Sequence, residues 1–117
     1  MKRPAAPRLL FWGAAIFSFV MAVLPHPPEV PGSPSDKVQH VAAFVTLGLL
    51  GGWAYREMSL LRLALRLSLF GAFIEVVQAI PALHRDSDFL DWVADTAAAC
   101  IVLLGIGWWR LRSKRKD

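Results

Sequence analysis

The sequence predicts an all-α fold, an integral membrane four-helix bundle with both termini in the cytoplasm. Of its 117 residues, 56% are hydrophobic and only 19% are charged, which is too apolar for a water-soluble domain of this size. Four apolar stretches also approach the roughly 20 residues that a helix needs to cross a bilayer. We expect one domain, 1–117, with helices at approximately 9–24, 37–55, 63–80 and 89–109 and a basic tail at 110–117.

The first stretch runs from Leu9 to Leu24, follows a basic segment and is stopped by Pro25. A basic start followed by a short apolar core is also typical of a signal peptide, so this helix is either a retained span or a cleaved signal. Retention is favoured, because no good small-x-small cleavage site follows.

The second and third stretches carry small and basic residues at helical spacing. Gly48 and Gly52 are four residues apart, which lets neighbouring helices approach closely. Arg62 and Arg66 lie one turn apart where the third stretch begins, and their long side chains can reach the membrane surface. The third stretch ends at Pro81.

The basic residues separate by side of the membrane. If all four stretches cross, eleven of the thirteen Lys and Arg residues lie with the termini and the middle turn, and only Lys37 and Arg85 lie opposite. The positive-inside rule places the basic side in the cytoplasm. Aromatic residues fall at the same predicted interface: Trp12, Trp53, Tyr55, Trp108 and Trp109. The net charge of +4 therefore indicates topology and contact with anionic lipid, and no nucleic acid is expected as a partner.

Polar residues interrupt the apolar stretches near the other side. They are four apart in the second stretch, three apart in the third, and three then four apart in the fourth, so each helix carries them on one face. At about 1.5 Å of rise per residue they reach similar depths. Because a carboxylate facing lipid costs several kcal/mol, we expect these residues to face one another in a polar cup open to the outside. The polar cup comprises Asp36, Lys37, His40, Glu75, Gln78, Arg85, Asp88, Asp91 and Asp95.

Some of these residues also have simpler interpretations. Asp36 and Asp88 are plausible N-caps of the second and fourth helices. Capping does not explain the deeper members, His40, Glu75, Gln78 and Asp95. A structural hydrogen-bond network that fixes helix register stays open for them.

Two segments, "DKVQHVAAF" at 36–44 and "EVVQAIPALHRDSDFLDWVADT" at 75–96, resemble the VanZ-like family of small bacterial membrane proteins. The family pattern is Asp-Lys-x-x-His, then Glu-x-x-Gln, then Arg followed by an acidic turn and Asp-x-x-x-Asn. Here Asp95 stands in place of the usual Asn, and Ala98 replaces a frequent Gly. By this resemblance the family positions are Asp36, Lys37, His40, Glu75, Gln78, Arg85 and Asp91.

The resemblance implies a multi-pass protein of the bacterial inner membrane with a role in the cell envelope. The namesake of the family is associated with low-level resistance to the glycopeptide teicoplanin, but no settled mechanism comes with the name. We expect a non-enzymatic protein whose polar cup binds a headgroup, peptide or glycan of the envelope, or docks a partner membrane protein. Membrane lipid is the expected partner, and no cofactor, metal ion or catalytic residue is assigned.

Three alternatives stay open. The first is a metal-assisted hydrolase or transferase acting on a lipid-linked substrate, with a cation held by His40, Asp36, Glu75, Asp91 and Asp95. Against it, only one histidine is in reach and no Gly-x-Ser-x-Gly motif is present. The second is a proton or ion pathway, although the inner halves of the spans lack matching acids. The third is a subunit role in a larger membrane complex.

Overall fold

A computed structural model describes residues 5–24, 36–83 and 88–116. Of Asp36, Leu83, Arg115 and Lys116 it describes the backbone alone. These residues form only helices, with no strand among them, so the predicted all-α class is confirmed. The elements are α1 (Ala5–Val23), α2 (Asp36–Ala54), α3 (Leu60–Gln78), a short 3-10 helix (Pro81–Leu83) and α4 (Phe89–Lys116).

Side-chain caps set the starts of α3 and α4. The Ser59 hydroxyl accepts a hydrogen bond from the Arg62 backbone N–H at 3.2 Å. The Asp88 carboxylate accepts one from the Leu90 N–H at 3.0 Å. Each cap satisfies a backbone donor that the helix leaves unpaired and stabilises the helix by about 1 kcal/mol. Asp88 therefore caps α4, as one interpretation of the sequence predicts.

Two helices extend by four or more residues beyond their predicted ends. The first begins at Ala5, four residues before Leu9, because Pro7 falls in the first turn, where its missing N–H breaks no helical hydrogen bond. The last continues through the basic tail to Lys116. Lys and Arg are nearly as good helix formers as Leu, so nothing in that tail stops the helix.

Each helix runs antiparallel to the helix before it in the chain. The last helix, α4, packs most extensively against α2 and α3. The Gln78 side chain contacts the Ala22 carbonyl, so α1 and α3 finish at the same end of the bundle. Arg8 contacts the Ala54 carbonyl, so α1 begins where α2 finishes. We call the end where α2 and α4 begin the polar end, and the opposite end the basic end.

The two spaced glycines of α2 face α4 inside the bundle. A Cβ atom at Gly48 would lie 3.1 Å from the Val102 side chain, and one at Gly52 would lie 2.8 Å from the Ile106 side chain. At either position a larger residue would require the facing side chain of α4 to shift. The close approach predicted from the spacing therefore occurs between α2 and α4.

Large apolar side chains cover the outside of the bundle. Leu9, Ile101 and Leu104 are 72%, 69% and 73% exposed, and each helix carries others like them. Both α1 and α4 are long and apolar enough to cross a membrane, yet only 22% and 17% of their apolar windows are buried. A core helix of a water-soluble protein would be mostly buried, and neither α1 nor α4 is. Because α1 lies near the N-terminus, it also has the character of a signal sequence.

Candidate functional site at the polar end

Three ionisable side chains from three helices meet at the polar end. His40 of α2, Glu75 of α3 and Asp95 of α4 each place one nitrogen or oxygen atom within 4.8 Å of the other two. We call them the buried triad, since Asp95 is fully buried and Glu75 is 8% exposed. The structure thus brings together the three deep ionisable residues that the sequence placed at similar depth.

Asp95 occupies the centre of this arrangement. Its Oδ2 atom lies 3.4 Å from His40 Nδ1. Its Oδ1 atom is buried and has no hydrogen-bond partner among the residues that the structure describes. A buried polar atom left without a partner costs about 1–3 kcal/mol, so Oδ1 is an acceptor available to a ligand.

Lys37 and two further carboxylates lie nearer the helix ends. The Lys37 ammonium is 3.4 Å from Asp91 Oδ1 and 3.6 Å from Asp88 Oδ2, which ties the start of α2 to the start of α4. Lys37 and Asp88 are about half exposed, with side-chain exposures of 49% and 48%. Lys37 and Asp88 form a solvated rim, whereas Asp91 is only 8% exposed, and the Lys37 ammonium partly neutralises both carboxylates.

Hydrogen bonds to backbone groups fix α3 in place. Glu75 Oε2 accepts from the Asp88 N–H at 2.9 Å, which holds the first residue before α4 against α3. Gln78 is almost fully buried, and its Nε2 donates to the Ala22 carbonyl at 2.9 Å, which joins α1 to α3. Gln78 Oε1 has no partner within the described ranges. Gln78 therefore has a structural role and also presents a second free acceptor.

Two predicted members of the polar cup lie outside what the structure describes. Arg85 belongs to residues 84–87, and the side chain of Asp36 is likewise not described. Their places in the polar cup stay predictions.

The sequence interpretation overlooked a neutral polar link between α3 and α4. The hydroxyls of Ser68 and Thr96 lie 3.0 Å apart, and the Trp92 indole N–H donates to the Ser68 carbonyl at 2.9 Å. Ser68 lies seven residues before Glu75 and so shares its helix face. That spacing is a signal in the sequence, because it extends the polar face of α3 by two turns.

The described part of the polar cup is rich in acceptors. Four carboxylates, those of Glu75, Asp88, Asp91 and Asp95, accompany only Lys37 and His40 as sources of positive charge within the described residues. Such a site suits a group that brings positive charge or hydrogen-bond donors.

No protein-family model, curated protein or solved structure matches the chain. The resemblance to the VanZ-like family accordingly stays a prediction from the residue pattern.

Proposed function

We propose that this chain is a four-span protein of the bacterial inner membrane, with both termini in the cytoplasm. Its polar cup opens outward and binds a hydroxyl-rich or cationic group of an envelope component without catalysing a reaction. The observation that carries this proposal is the inverted polarity of the bundle. Asp95 is fully buried, whereas large apolar residues such as Leu104 are mostly exposed.

Inverted polarity favours lipid as the surrounding solvent. In water an apolar coat on every helix would drive association, whereas in a bilayer it contacts acyl chains. Ionisable residues within a bilayer are tolerated when they face the bundle interior and one another, as those of the buried triad do. Both α2 and α3 have 19 residues, which at about 1.5 Å per residue matches a hydrocarbon core of about 30 Å.

The distribution of basic residues supports the orientation. Arg8, Arg62, Arg110 and Lys114 belong to the basic end, where α1 and α3 begin and α4 finishes. Arg112 lies over the Trp108 ring, with 4.9 Å from the guanidinium carbon to the ring centroid, an aromatic pairing suited to a membrane interface. By the positive-inside rule this end faces the cytoplasm and the polar end faces outward.

The unpartnered acceptors support the ligand class. Asp95 Oδ1 and Gln78 Oε1 lack donors among the described residues, so a ligand that brings N–H or O–H groups would satisfy both. Sugars and amine-bearing headgroups of envelope lipids have this chemistry, whereas a bare phosphate brings only acceptors and negative charge.

Lipid selectivity tests this proposal. Wild-type protein and Asp95→Asn would be reconstituted in nanodiscs containing a glycosyl-diacylglycerol, phosphatidylethanolamine and phosphatidic acid, and retained lipids would be measured by native mass spectrometry. We expect Asp95→Asn to retain less of the glycosyl or ethanolamine lipid. It should retain the same amount of phosphatidic acid, because we expect that anionic headgroup to bind at the basic end. Glu57→Gln, which alters an exposed carboxylate at the basic end, serves as the matched control. Equal retention of all three lipids by wild type and Asp95→Asn would contradict the proposal.

The envelope role has its own test in cells. A deletion strain should show altered susceptibility to teicoplanin or an altered envelope lipid composition, restored by the wild-type gene and not by Asp95→Asn. An unchanged strain in both measurements would count against a role in the envelope.

A further inference from the structure

We propose that the buried triad is a binding site for a divalent transition-metal ion, Zn²⁺ or Mn²⁺. One imidazole nitrogen and two carboxylate oxygens converge there from His40, Glu75 and Asp95. This mixed set suits Zn²⁺ and Mn²⁺, whereas Ca²⁺ and Mg²⁺ prefer oxygen ligands alone. The inference departs from the expectation of no metal, which rested on the presence of a single histidine near the site.

The distances fit a metal site with little movement. Zinc bonds of about 2.1 Å in a tetrahedral site place neighbouring ligand atoms about 3.4 Å apart. His40 Nδ1 and Asp95 Oδ2 are 3.4 Å apart, a longer separation than that of most hydrogen bonds. All three ligand atoms lie within 4.8 Å of one another, and a bound ion would draw the Glu75 carboxylate closer to the other two about its soft terminal torsion.

The buried Oδ1 atom of Asp95 is a second and independent sign of a ligand. It has no hydrogen-bond partner among the described residues, although Asp95 is fully buried. A metal ion next to Asp95 would compensate this carboxylate directly. Two carboxylates and a neutral imidazole would balance a charge of 2+ at this buried position.

Two further described carboxylates of the polar end already have a partner of opposite charge. Lys37 lies against Asp91 and Asp88, so those carboxylates already have a cation. Gln78 donates to the Ala22 carbonyl through Nε2, and its Oε1 atom stays available as a further acceptor. Three protein ligands leave at least one coordination position open, as in catalytic and ligand-binding metal sites.

This inference rests on the proposed function for the position of the site in the membrane, and it deepens that function. An ion with an open position facing the rim would coordinate a hydroxyl or carbonyl oxygen of the bound group. The ligand would thus be held by the metal and by the rim together.

Metal retention tests the inference. Wild-type protein in detergent would be stripped with a chelator, incubated with Zn²⁺, Mn²⁺ or Mg²⁺, separated from free ion and assayed by mass spectrometry of the elements. We expect stoichiometric Zn²⁺ or Mn²⁺ and little Mg²⁺, and an affinity at least about 100-fold weaker for His40→Ala and Asp95→Asn. Glu57→Gln should bind as wild type does, because its carboxylate lies at the basic end. Failure of wild type to retain either ion, or unchanged affinity in Asp95→Asn, would overturn the inference.

A spectroscopic measurement on wild-type protein keeps the inference testable if the variants do not fold. Co²⁺ in a tetrahedral site of nitrogen and oxygen ligands gives strong visible absorption, which Zn²⁺ should displace. A weak octahedral spectrum identical to that of free Co²⁺ would overturn the inference. If metal is absent but the lipid selectivity depends on Asp95, the proposed function stands without the metal. If metal is retained without lipid selectivity, the metal site stands and the proposed lipid binding is contradicted.

Discussion

The two ends of the bundle are built from the same four helices but differ in the solvent exposure of their charged side chains. At the polar end, three of the four described carboxylates, those of Glu75, Asp91 and Asp95, are buried, and Asp95 has no exposed surface at all. At the basic end, the Arg8–Glu57 ion pair is open to solvent, with side-chain exposures of 39% and 40%. A short side chain cannot reach the surface from within a helix bundle, so its charge must find a partner inside.

At the basic end, arginine side chains satisfy the last turn of α2. Arg110 donates to the Gly52 carbonyl at 2.6 Å, and Arg8 donates to the Ala54 carbonyl at 3.4 Å. The Arg8 guanidinium also lies 4.7 Å from the Tyr55 ring centroid. Cations favour the carbonyl end of a helix, and the long arginine stem can lie along apolar surface while its head stays solvated. Charge at the basic end therefore stays solvated and contacts helix ends, whereas charge at the polar end lies mostly buried between helices.

Removal of the central carboxylate should distinguish the two ends most strongly. We expect Asp95→Ala to lower the free energy of unfolding by about 3 kcal/mol, because it breaks a buried pair with His40. Glu57→Ala, the matched change at the basic end, should cost less than about 0.5 kcal/mol. Equilibrium unfolding in mixed micelles with increasing denaturing detergent measures both. Equal losses would refute the distinction between the ends.

An intermediate loss in the free energy of unfolding is expected when the arginine that contacts the last turn of α2 is replaced. Arg110→Met keeps an apolar stem but removes the donor to Gly52, and we expect a loss of about 1.5–2 kcal/mol in the same assay. Arg112→Met is the control, because that guanidinium lies over a surface ring. A loss no larger than that of the control would show that the Arg110 contact adds nothing to stability.

The smallest contribution to stability is expected from the exposed ion pair of Arg8 and Glu57. A double-mutant cycle on Arg8 and Glu57 should give a coupling energy of about 0.5 kcal/mol that falls as salt is added. A coupling of several kcal/mol, insensitive to salt, would show that the basic end also holds a desolvated charge network.

Helix number and the depth of the polar residues could be predicted from the sequence because each depends on one stretch at a time. The contact partners of the polar side chains could not be predicted, because they depend on how each helix is rotated about its axis and on which helices are neighbours. Asp91 and Asp95 share one stripe of α4, yet Asp91 pairs with Lys37 and Asp95 faces His40. Likewise, no sequence pattern indicated that Gln78 would bond to the backbone of α1.

In the proposed orientation the polar end faces out of the cell and the basic end faces in. Cys100 is the chain's single cysteine, so Cys100→Ala gives a background in which Asp88→Cys or Lys114→Cys can be labelled alone. Both positions are exposed, one at each end of α4. With a membrane-impermeant maleimide, we predict labelling of Asp88→Cys in intact cells and of Lys114→Cys only after permeabilisation. Labelling of Lys114→Cys in intact cells with Asp88→Cys protected would contradict the account.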